Sequence, residues 1–106
     1  MNKDELRMAV ESVNLEVQLK PVVENIDIIL AKVKAYCECM EMIQKNKTEF
    51  ESNMQMVQSS LLKLVNKLND IAMHAMAIND RSIYYRCEDK KRQVRDTMEV
   101  VRNLYM

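Results

Sequence analysis

A chain of 106 residues with 16 basic and 16 acidic side chains has no net charge, so no overall field draws it to nucleic acid or an anionic membrane. It contains no glycine and one proline, which disfavours β-hairpins and the Gly-rich loops that cradle phosphates. The remaining composition, rich in Leu, Met, Glu, Lys, Gln and Ala and 48% hydrophobic, points to a single all-α domain over 1–106 with one modest core.

The opening MNKDELRMAV lacks the apolar centre of a secretion signal, and Asn2 with Glu5 offers a cap for a first helix. That helix is expected over about 3–45 with a break near Pro21, which either opens a helix or kinks a longer one. An uninterrupted first helix would reach about 65 Å and overhang its partners. Its early part is not polar enough to stand alone, because Leu6, Val10, Val13 and Val17 form one stripe and Met8, Leu15 and Leu19 another. Either the chain folds back at Pro21 as a fourth helix, or another chain covers the segment.

The strongest pattern is a heptad seam stepping by four and three from Leu15 through Leu19, Val22, Ile26, Ile29, Val33, Tyr36, Met40 and Ile43 to Lys47. It continues through Phe50, Met54, Val57, Leu61, Leu64, Leu68, Ile71 and Ala75 to Ile78, with Lys47 its only charged member. Such spacing keeps one face towards neighbouring helices. A turn is expected at 45–48, where Asn46 ends one helix and Thr48 with Glu51 forms a capping box for the next; one continuous rod is the competing possibility. Asn46-Lys47-Thr48 also matches a glycosylation sequon, read as chance. The second helix is expected over 48–78. At Asn79–Ser82 the seam slips by one residue, and a third helix over 82–105 resumes it as Ile83, Cys87, Val94, Met98, Val101 and Tyr105. The expected architecture is an antiparallel bundle of three long helices, or four with the fold-back, packed as in a coiled coil.

Second apolar stripes lie off this seam. Ile28 and Met42 on the first helix, with Ala35 and Cys39, and Leu62, Met73 and Met76 on the second face away from it. In IAMHAMAI, residues 71–78, both sides of the helix are apolar. The outer side needs the protein's own N-terminal segment, a second copy or another protein. On the third helix Lys91, Arg95 and Arg102 cluster near Tyr84, a candidate face for an acidic partner diluted by Glu88, Asp89, Asp96 and Glu99. The charge divides unevenly: residues 1–80 hold 9 basic and 12 acidic side chains, a net −3, and residues 81–106 hold 7 and 4, a net +3.

No catalytic residue, cofactor or metal is expected. Cys37 and Cys39, two apart on one helix, point about 200° apart and cannot share an ion. His74 has only Asp70 near it at helical spacing. Three unpaired cysteines, with no membrane-length apolar run, suggest reduced thiols in the cytoplasm or nucleus. These residues imply a non-catalytic helical adaptor or assembly subunit, a homo- or hetero-oligomer acting through helix contacts, with nucleic acid disfavoured. The alternative is a regulator that docks its basic third helix onto an acidic partner, such as a chaperone or a nucleic-acid-bound complex.

Overall fold

A computed structural model describes residues 2–105, apart from the side chains of Met40, Met42 and Tyr105. Four helices follow one another: α1 (Lys3–Cys37), α2 (Met40–Lys45), α3 (Lys47–Ala77) and α4 (Arg81–Tyr105). No strand occurs among the described residues, and no helix there is long and apolar enough to cross a membrane.

The three long helices pack against one another. Leu15 lies near Ile78, Pro21 near Asp70, and Tyr36 stacks on Phe50 at 5.4 Å, so α3 runs antiparallel to α1. On α4, Lys91 bonds Asn69 of α3 while Arg102 lies near Gln58, so α4 is antiparallel to α3 and parallel to α1. The body measures 63 × 19 × 18 Å. Its radius of gyration of 17.4 Å exceeds the about 13 Å of a compact domain this size, as long helices packed side by side require.

The heptad seam is the core. Leu15, Leu19, Val22, Ile26, Val33, Ile43, Phe50, Met54, Leu61, Leu68, Ile71 and Ala75 are buried, while Ile29, Tyr36, Val57, Leu64 and Ile78 are partly so. After the slip Ile83, Cys87, Val94 and Val101 are buried and Met98 half-buried. Only Lys47 among the described seam positions is exposed.

The expected break at Pro21 does not form, and no fourth helix folds back there: α1 continues through the proline. A proline inside a helix costs about 3 kcal/mol. Leu15 and Leu19 before it and Val22 and Ile26 after it are all buried in one cluster, at about 1.5–3 kcal/mol each, so packing outweighs the break. Val17, whose carbonyl loses its donor, is 68% exposed and open to water.

The first helix ends at Cys37 instead of residue 45, and α2 is a separate turn and a half of helix. Glu38 N–H bonds back to the Lys34 and Ala35 carbonyls, and Cys39 N–H to that of Tyr36, before the chain restarts. Straight continuation would carry Ile43 past the end of the bundle. The turn folds it onto Val33, Phe50, Met54 and Val101, a second cluster at that end. The expected turn at 45–48 shrinks to Asn46, whose backbone carbonyl accepts from Phe50 N–H. The proposed capping box does not form at that start: Asn46 holds the cap position without a side-chain bond, and Thr48 lies inside the first turn of α3.

The turn from α3 to α4 follows the sequence closely. Asn79 takes a left-handed conformation at φ 59°, with its N–H on the Met76 carbonyl and Asp80 N–H on that of Ala75. Asp80 then caps α4, its Oδ1 accepting from Ile83 N–H at 3.1 Å. Ser12 Oγ of α1 donates to Asp80 Oδ2, fastening α1 to this turn. These hydrogen bonds, Ser12's foremost, hold the Asp80 carboxyl below the usual carboxylate range.

Candidate functional site

The charge imbalance between the two parts of the chain is largely met internally. Arg86 pairs with Glu16 at 2.5 Å and Lys90 with Asp27 at 2.6 Å, tying basic α4 to carboxylates of the parallel α1. Lys91 is held by Glu88 at 2.6 Å and by Asn69 Oδ1 at 2.8 Å, and Arg92 by Asp89. Arg95 and Arg102 have no hydrogen-bond or ion-pair partner among the described residues and are exposed. Of the expected basic cluster, then, Lys91 is engaged within the chain. Tyr84 is half-buried against the core, its ring 5.5 Å from that of Tyr85.

The outer residues of α3 share a flank beside α4. Leu62, Asn69, Met73 and Met76 fall within a narrow arc at about 100° per residue, and Asn69 accepts from Lys91 across the interface. Leu62 is exposed, as are Met73 at 72% and Met76 at 64%. The N-terminal segment therefore leaves the outer side of IAMHAMAI uncovered: Ile71, Ala72 and Ala75 enter the core, and the two methionines face water. Towards the α2 end, a groove of about 460 Å³ opens on the same side of the bundle, with Arg95, Glu99 and Arg102 on its α4 rim and Gln58 and Leu62 on its α3 rim. Leu61, Val65, Val94 and Met98 line it below.

The other outer surface is the back of α1. Leu6, Val10, Val13 and Val17 project about 180° from the buried row Leu15, Leu19, Val22 and Ile26, and are 52 to 68% exposed. Ile28 continues this face and is exposed. Every residue from Asn2 to Glu11 is exposed, since α1 makes its first contact with the α3–α4 turn at Ser12. About 12 Å of helix thus stands beyond the bundle. The sequence marked this stripe as needing cover without placing it among the candidate contacts. Its own four-three-four spacing was the signal. Ile28 belongs with this outer face instead of with Met42, because the turn at 38–39 interrupts the stripe once expected to join them; the side chain of Met42 lies outside the described residues.

The cysteines separate for a reason other than helical phase. Cys37 ends α1 half-buried, Cys39 sits exposed in the turn, and Cys87 is buried in the larger cluster. Burial pushes the Cys37 and Cys87 thiols above their usual range, against nucleophilic use. His74 is exposed beside Glu11, Asn14 and Gln18, with no hydrogen bond to Asp70. No group of three or more His, Cys, Asp or Glu side chains placed to hold a metal ion occurs among the described residues.

Comparison with protein-family models, curated proteins and solved structures finds no match for this chain.

Proposed function

We propose that this protein is a non-catalytic helical assembly subunit or adaptor. In this reading the outer face of α1 packs against a helix from another chain, in coiled-coil fashion. The observation that carries it is the exposed stripe Leu6, Val10, Val13 and Val17 on a helix that overhangs its own bundle. A surface helix of an isolated domain carries polar residues opposite its core side. Here the opposite side repeats heptad spacing, which a second helix fills knob into hole. Apolar residues left in water along such a row favour association by about 25 cal/mol per Å² removed from solvent. The three free cysteines suit a reducing compartment, the cytoplasm or nucleus.

The test is the apparent mass of the tagged chain in lysate of its native cells, against a Val13→Glu/Val17→Glu variant. The wild type should elute well above 12.5 kDa and the variant near it, with helicity unchanged because both positions are solvent-facing. Equal elution of the two would refute the reading.

A further inference from the structure

The groove between α3 and α4 sits on a different surface from the outer face of α1, and its chemistry is mixed. Its base is apolar, formed by Leu61, Val65 and Met98, with exposed Leu62 at one rim. Its α4 rim carries Arg95 and Arg102, one heptad or about 10.5 Å apart along the helix. Four of the other basic residues of α4, Arg86, Lys90, Lys91 and Arg92, are neutralised by carboxylates of this chain. These two arginines have no such partner among the described residues, although Glu99 stands between them on the same rim. The facing wall offers no counter-charge either, because α3 has no acidic residue from Ser52 to Asn69.

We infer that this groove receives an amphipathic helix of a partner protein, with an apolar stripe on the groove base and carboxylates about one heptad apart that meet Arg95 and Arg102. The inference rests on the assembly role proposed above and names the chemistry of a partner. Charge complementarity selects the occupant. Two guanidiniums at helical spacing, without a partner among the described residues, donate to carboxylates in a two-pronged geometry that a lysine ammonium cannot match. An apolar trough beside them rewards a helix with leucine-like side chains at i, i+4 and i+7. A nucleic-acid backbone would engage the arginines but leave the apolar base in water.

Four probes test this by fluorescence anisotropy on the full chain. The first is a 21-residue helical peptide with leucines along one stripe and glutamates flanking it at heptad spacing. The second replaces the glutamates by lysines, the third replaces the leucines by alanines, and the fourth is a duplex oligonucleotide. The leucine–glutamate peptide should bind, and more weakly as salt rises from about 50 to about 300 mM, a range over which screening shortens markedly. Arg95→Glu/Arg102→Glu should weaken it about tenfold and should bind the lysine peptide instead, while circular dichroism stays unchanged because both arginines are exposed.

Failure of the first peptide to bind, equal binding of the lysine peptide by the wild type, or equal binding of the alanine peptide would each overturn the inference. Tighter binding of the duplex would assign the arginines to phosphate and overturn it too. The Val13→Glu/Val17→Glu variant should bind the first peptide as the wild type does. That separates failure of the groove from failure of the α1 face.

Discussion

Asp80 joins three elements: it caps α4, follows the left-handed Asn79 that ends α3, and accepts the Ser12 hydroxyl of α1. Asp80→Ala removes an N-cap, which costs about 1 kcal/mol, and a hydrogen bond to a charged acceptor, which is worth about 1.5–3 kcal/mol. The site is only half-buried, so the second contribution falls to the bottom of its range and the sum is about 2–2.5 kcal/mol. Ser12→Ala should cost about 1 kcal/mol, and the double variant little more than Asp80→Ala alone, since the serine then has no acceptor to lose. Urea unfolding followed at 222 nm gives all four free energies. The carboxyl is held below its usual range, so its contribution is complete above the unfolded-state value near 3.9 and is lost as pH falls through the lower folded value. The gap between wild type and Asp80→Ala should therefore narrow below about pH 4. Strictly additive single costs, or a gap that persists under acid, would refute the idea that one carboxylate links α1 to the α3–α4 turn.

Leu61→Ala with Leu68→Ala, both buried, should cost about 2–5 kcal/mol each and unfold much of the protein in thermal melts, whereas Met73→Glu with Met76→Glu should cost under about 0.5 kcal/mol per site. Equal losses would mean that both sides of α3 are core. Spin labels at Asn25 and Lys67, which flank one groove, should lie within about 20 Å; an unbroken rod would hold them about 63 Å apart at 1.5 Å per residue. In thiol titration with a chromogenic disulfide Cys39 should react first and Cys87 only on unfolding, since Cys39 is exposed while burial keeps the Cys87 thiol protonated; prompt reaction of Cys87 would contradict its burial.

The fold was legible wherever one physical signal acted alone. The heptad seam identified the core because burial of a periodic row needs no knowledge of neighbours, and Asn79–Asp80 identified its turn because few residues besides asparagine tolerate φ 59°. Pro21 misled, because its local cost is readable while the four buried anchors that exceed it, Leu15, Leu19, Val22 and Ile26, draw their burial from side chains of other helices. The end of α1 at Cys37 was hidden for the complementary reason. Glu38 and Cys39 carry no breaking residue type, and the break arises from where Ile43 must go. Among the candidate contacts, Leu62, Met73 and Met76 are as exposed as their spacing implied. Lys91 is held by Glu88, which the sequence already placed beside it, and by Asn69, which reaches it across a helix interface that helical phase on α4 alone does not show.

The two core clusters lie end to end along a narrow body, and among the described residues only Ile29 and Val57 pack against both. Cooperativity along the long axis therefore passes through two half-buried side chains. The smaller cluster, with Val33, Ile43, Phe50, Met54 and Val101, has few residues to lose and is closed by a six-residue helix. Opening should begin there, with amide protons of α2 and the last turn of α1 exchanging well before those near Leu19 and Leu68. The opposite end, clasped by Ser12 and Asp80, should open last, so unfolding has a direction: the overhanging stripe of α1 keeps its support while the far end breathes.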